Sequence, residues 1–184
     1  MLGEERFTSP TPPVSRPKVP IKSNQSNWDD VSAPNEELNS KVVTVRLVRH
    51  GRLGGLKLLL RIGQIQALFN TDSFWAQGRS RWALFRMLLG SCVVVSAWQA
   101  GRLVGIGRAT SDGVFRAVLW DVVVASEQQG QGLGRRIVES LLSYQAVAKA
   151  ERVYLMTTNS SGFYEKLGFK SQHGQQLLAL YRKN

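Results

Sequence analysis

The sequence predicts an α/β sandwich built on a mixed β-sheet, and three features of residues 41–184 carry that prediction. Apolar, β-branched runs lie close together between residues 92 and 124. A glycine-rich turn at 130–134 leads from the last run into a helical pattern. A further strand, a short helix and a final strand alternate after it.

Taken in order, Lys41 to Val48, with Val42, Val43, Val45 and Leu47, reads as a first strand. Leu53 to Phe69 and Phe74 to Leu89 have helical apolar spacing, joined by a loop through Asn70-Thr71-Asp72. Most of the aromatic set Phe69, Phe74, Trp75 and Trp82 is expected in the core. Cys92 to Trp98 and Leu103 to Thr110 are strands around a hairpin connection at Gln99-Ala100-Gly101, and Val114 to Val124 is a longer third one. A helix from Arg135 to about Lys149 follows, with Ile137, Val138, Leu141, Leu142 and Val147 on one buried face. Val153 to Thr157 is a strand, Gly162 to Leu167 a short helix, and Gln176 to Arg182 a last strand.

Residues 1–40 hold all six prolines, Pro10, Pro12, Pro13, Pro17, Pro20 and Pro34, and lack a periodic apolar pattern. Such a segment buries too little surface to offset its ordering entropy. It is expected as a disordered Pro/Ser-rich tail, and 41–184 as one folded domain. The tail has four basic and six acidic residues, leaving 20 basic and 7 acidic, net +13, in 41–184. That excess suits coenzyme phosphates, an acidic protein partner or RNA, or simply a solvated basic face. The single Cys92 excludes an internal disulfide and is expected as a small buried side chain. Two isolated histidines, His50 and His173, offer no metal cluster, so no metal is expected. Without a bilayer-length apolar run or a secretory start, the protein is expected to be cytoplasmic with no membrane role, or in the chloroplast stroma if plastid-targeted. Its state is left open as monomer or homodimer.

The most informative segment is Val124 to Gly134, where an apolar strand enters the turn Gln129-Gly130-Gln131-Gly132-Leu133-Gly134. Glycines without a Cβ let successive amides converge on an anion, and the helix behind offers unpaired first-turn N–H groups and a favourable dipole. Arg135 and Arg136 add cations there. The turn lacks the Gly-Lys-Ser/Thr ending of a phosphate-transfer loop, and no acidic residue follows about twenty positions on for a dinucleotide ribose.

Gln129-x-x-Gly132-x-Gly134 instead resembles the coenzyme A signature of the GNAT superfamily of N-acetyltransferases, and Gly162-Phe163-Tyr164-Glu165-Lys166-Leu167-Gly168-Phe169 resembles its late helix-to-strand motif. The resemblance covers about residues 43–184. From Val104 to Phe169 it is strongest to the cyanobacterial and chloroplast type that includes plant serotonin N-acetyltransferases. It implies a mixed, mostly antiparallel sheet of about six or seven strands flanked by about four helices. It implies acetyl-CoA as co-substrate, bound by the backbones of Val122, Val123 and Val124 and by Gln129, Gly130, Gln131, Gly132, Leu133, Gly134 and Arg135. The Val124 amide is then the candidate oxyanion donor. Asn159 resembles the family's coenzyme-contacting asparagine in part, standing five residues before Tyr164 where many relatives leave seven.

Tyr164 occupies the general-acid position, able to protonate a departing thiolate, with ring packing beside Phe163 as the other reading. Asp121, a carboxylate between Trp120 and three valines, either serves the acceptor ammonium or forms a salt bridge with Arg108 or Arg116. Trp120 either walls the acceptor site or packs in the core. The implied function is acetyl transfer to a primary amine by direct attack in a ternary complex, the acceptor an arylalkylamine such as serotonin. The alternatives are a protein lysine or N-terminus, or a non-catalytic acyl-CoA- or RNA-binding module.

Overall fold

The computed structural model describes residues 44–51, 56–172, 174 and 176–180. The expected tail, 1–40, and the start of the first expected strand lie outside them. The described residues form a five-stranded mixed sheet in the order β1-β2-β3-β4-β5. Strands β1 (Arg46–Gly51), β2 (Val93–Gln99), β3 (Arg102–Ser111) and β4 (Arg116–Val124) are antiparallel neighbours, and β5 (Arg152–Tyr154) pairs parallel to β4.

The β2–β3 hairpin turns through Ala100 and Gly101 at φ of 48° and 79°. That left-handed pair matches the twist of the flanking strands. β4 begins two residues later than its pattern suggests because Asp112 Oδ1 accepts from the amides of Val114, Phe115 and Arg116 at 2.8, 2.8 and 3.0 Å. These bonds hold the chain in a side-chain-closed turn. They also lower the pKa of Asp112, led by the Val114 amide.

Helix α4 (Leu133–Leu142) and helix α5 (Gln145–Ala148) cover one face. Ile137, Val138 and Leu141 are fully buried there. Each contributes about 1.5–3 kcal/mol of apolar burial. Gly105 and Gly107 let α4 approach: a Cβ on either would stand 2.9 or 2.7 Å from Ile137. By strand alternation Arg108 projects to the opposite face, where α1 (Leu56–Leu59), α2 (Ile62–Asp72) and α3 (Arg81–Leu89) lie. Ile65, Leu68 and Phe69 of α2 and Leu84 and Leu88 of α3 are buried in the core. Last comes the short α6 (Ser161–Glu165).

Several expectations need correction. The sheet has five strands among the described residues rather than six or seven, since 176–180 form none and Leu177, Leu178 and Leu180 are exposed. Among the described residues the α-helices number six rather than about four, because two expected helices are split. The first breaks between α1 and α2. The helix expected from Arg135 to Lys149 ends at Leu142, where Tyr144 adopts extended backbone and α5 restarts after it. The helix expected from Phe74 starts only at Arg81: Gly78 sits at φ 75°, bonded to Asn70 Oδ1, and Ser80 then caps the helix by accepting from the Ala83 amide. As a result Phe74 and Trp75 fall in a surface loop, and Trp82 points away from the Leu84–Leu88 stripe. All three are exposed, and only Phe69 is core. Cys92 is half-buried against the core.

Candidate active site

The site starts where the sheet opens. β4 and β5 pair only from Arg116↔Arg152 to Val118↔Tyr154, and beyond that point the described strands diverge. On its other edge β4 carries a bulge, since Ile106 opposes Val123 while Arg108 opposes Trp120, leaving Asp121 and Val122 across from Gly107 alone. Asp121 takes the strain of the bulge at φ 49°. Past it, the Ala125 amide donates to Val104 O at 2.9 Å, toward β3. Strand alternation then turns the peptide groups of Val124 and Val122 into the gap and those of Val123 back to β3. Gln129 Nε2 donates to Val124 O at 3.0 Å on the gap side, leaving the Val124 N–H to face the opening.

The gap ends on the glycine turn. Gly130 and Gly132 have φ of 74° and 76°, and a Cβ on either would meet nothing within 4 Å. Conformation rather than crowding requires glycine, and open space lies where an anion would sit. Gly132 is the N-cap of α4, so the first-turn amides point outward. Leu133 anchors the turn with a buried side chain, while Gln131 Nε2 ties it to Glu127 O at 3.0 Å. Arg135 is exposed and bonded to Glu139 at 2.8 Å, and Arg136 bonds Val45 O at 3.3 Å.

Gly134 joins the two sequence motifs in space. A Cβ there would stand 3.5 Å from the ring of Phe163 and 3.7 Å from Val124. Phe163 therefore seats α6 against the turn. Next to it, Tyr164 packs edge-on to Phe163 at 4.8 Å and to Phe169 at 5.9 Å. The ring packing expected for Tyr164 is present in that placement. It also lines a cavity of about 1050 Å³ with Val118, Trp120, Tyr154, Met156 and Leu167. Burial pushes its phenol pKa up, so the protonated form is held. Asn159 is exposed outside that lining and bonds Ser160.

Trp120 donates to Thr110 Oγ1 at 2.9 Å, and the Arg108 guanidinium lies 5.5 Å above its ring. Asp121 is bonded on both oxygens: Arg108 Nε to Oδ2 at 2.6 Å and Arg79 Nη1 to Oδ1 at 3.1 Å. The salt-bridge reading of Asp121 is therefore present with Arg108, while Arg116 pairs with Glu151 instead. Arg79 was not legible in the sequence. It sits in the α2–α3 loop, 42 residues from Asp121, with no motif around it. The basic, loop-borne position was the sole signal.

Residues 62–169, more than half of the chain, match the model of the acetyltransferase (GNAT) family. The chain belongs to that family. It is 40% identical over 74 residues to GCN5-related N-acetyltransferase 2, chloroplastic, of Arabidopsis thaliana, covering 40% of this chain and 29% of that protein. It is 45% identical over 71 residues to serotonin N-acetyltransferase 2, chloroplastic, of Oryza sativa subsp. japonica, covering 38% and 36%. The chain thus spans about a third of the length of these two relatives. A crystal structure of a putative GNAT-family acetyltransferase from Xanthomonas campestris superposes with a TM-score of 0.64 at 25% identity, over 76% of this chain and 94% of that one.

Proposed function

We propose that the chain is an acetyl-CoA-dependent N-acetyltransferase acting on a primary amine by direct attack in a ternary complex. One observation carries this: the β4–β5 gap, lined by the outward amides of Val122 and Val124, ends on a positive-φ glycine turn with open space above it. Acetyl-CoA would supply the activated thioester. The family uses it, and both parts of the opening fit it: extended backbone for the pantetheine arm and converging amides for the pyrophosphate. In this reading Gly130, Gly132 and the α4 N-terminus hold the phosphates, with Gln129, Gln131, Leu133, Gly134 and Arg135 shaping the turn. The Val124 N–H donates to the carbonyl oxygen as charge grows on it. Tyr164, kept protonated by burial, delivers a proton to the leaving sulfur.

The acceptor class is an aromatic primary amine, for which Trp120 provides a cavity wall and of which serotonin, in the name of the rice relative, is an example. Both plant relatives are chloroplastic by name, which supports a stromal over a cytoplasmic setting. A protein lysine or N-terminus is the alternative acceptor. The non-catalytic module is disfavoured by the presence of both Tyr164 and the whole glycine turn. Coenzyme A release across a panel of amines and peptides tests the reaction, and Gly132→Val tests the site. A valine at φ 76° costs about 1–2 kcal/mol of backbone strain and crowds the anion position. Calorimetry should show a severe loss of acetyl-CoA affinity in a still-folded protein. Wild-type affinity in that variant would overturn the assignment.

A further inference from the structure

Asp121 does not stand ready for an acceptor ammonium. Its side chain is 7% exposed and each oxygen is engaged by a guanidinium, so a substrate cation would have to displace Arg79 or Arg108. Among the described residues Asp121 is the only carboxylate bonded to either arginine. Two cations thus share one anion, and the cluster carries a net positive charge beside Trp120, which lines the cavity.

Both guanidiniums are held. Arg79 lies 5.7 Å above the Phe69 ring and Arg108 5.5 Å above Trp120, while Asp121 fixes the inner edge of each. A guanidinium has five N–H donors; Arg79 directs Nη1 at Asp121 and Arg108 directs Nε, which leaves donors on both. A planar fork with spare donors, pre-organised on an aromatic face, is suited to a carboxylate. Arg79, 35% exposed, is the more accessible of the two.

We propose that Arg79 and Arg108, oriented by Asp121, form a carboxylate subsite for the acceptor, so that the preferred substrate is an aromatic amino acid rather than the amine left by its decarboxylation. The inference rests on the acetyltransferase reading. A bare arylalkylammonium is repelled by the cluster, whereas an α-amino carboxylate brings its own counter-charge. Asp121 is a positioning residue in this scheme, and Arg79 determines specificity.

Tryptophan and tryptamine differ only in the carboxylate, which makes them the probes. Wild-type enzyme should acetylate tryptophan with kcat/KM at least about tenfold above tryptamine, as a charged hydrogen bond of about 1.5–3 kcal/mol implies. Arg79→Gln should lower kcat/KM for tryptophan by about ten- to a hundredfold. The tryptamine value should hold or rise as the repulsion is relieved, and the acetyl-CoA KM should stay within about twofold. Arg79→Lys, which keeps the charge without the fork, should fall between. Equal use of the two probes by the wild type, or an Arg79→Gln loss shared by both, overturns the subsite. So does acetyl-CoA binding without binding of tryptophan by calorimetry. Failure of acetyl-CoA to bind or to raise the melting temperature would instead sink the acetyltransferase reading itself.

Discussion

Tyr164, the proposed general acid, is also a packing residue. Its ring is fixed between Phe163 and Phe169, so Tyr164→Phe keeps the packing and removes only the proton donor. Turnover should fall about ten- to ten-thousandfold with acetyl-CoA affinity unchanged, as stopped-time assays and calorimetry would report. Unchanged turnover would leave Tyr164 a packing residue. The same variant tests the burial of the phenol. Because the folded-state pKa lies above the unfolded value of about 10, stability is intact below that pH and is lost as pH rises through the folded pKa. Melting curves from pH 9 to 11 should therefore fall more steeply for the wild type than for Tyr164→Phe. Tyr164 and the glycine turn were readable in the sequence because each lies in a contiguous motif whose backbone and side chains act locally. The surroundings of Asp121 were half readable: a carboxylate among valines demands a partner, and Arg108, on the neighbouring strand, was nameable. Arg79 was not, because a loop of turns closed by Gly78 and Asn70 brings it there.

At the scale of elements, the contact of α4 with the sheet depends on what is missing from β3. Gly107 meets the branched Cγ2 of fully buried Ile137 at 2.7 Å and Leu141 at 3.1 Å once a Cβ is added, and neither can retreat easily. Gly107→Ala should destabilise the domain by about 1–3 kcal/mol, measured by denaturant melts. Because α4 carries the glycine turn at its N-terminus, the same variant should weaken acetyl-CoA binding; a neutral effect on both would show that the helix shifts freely. The amphipathic spacing of α4 was legible since burial on one face repeats at a helical period. What spacing could not show is where helices stop. Element boundaries are local events: three hydrogen bonds to Asp112 set the start of β4, one to Ser80 the start of α3, and the extended dihedrals of Tyr144 the break between α4 and α5. The surface place of Phe74, Trp75 and Trp82 follows from such a boundary, and hydrophobicity alone put them inside.

For the whole molecule, two units divide at Ser40 and Lys41, which coincides with the change in proline content and charge. Removal of residues 1–40 should leave the melting temperature and acetyl-CoA affinity of 41–184 within error, and a truncated protein that unfolds would show that the core depends on them. The excess of +13 in the remaining domain should make acetyl-CoA affinity fall with added salt. The half-paired β4 and β5 reach beyond ligand geometry into the timing of backbone fluctuation. In the free protein the amides of Val122 and Val124, facing the gap, should trade their protons with deuterated water quickly, while those of Ile106 and Val123, bonded within the sheet, wait for much larger openings. Saturating acetyl-CoA should slow the first pair and leave the second nearly alone. The ligand would then complete a sheet that the chain leaves unfinished, and mass-resolved exchange would record that completion residue by residue.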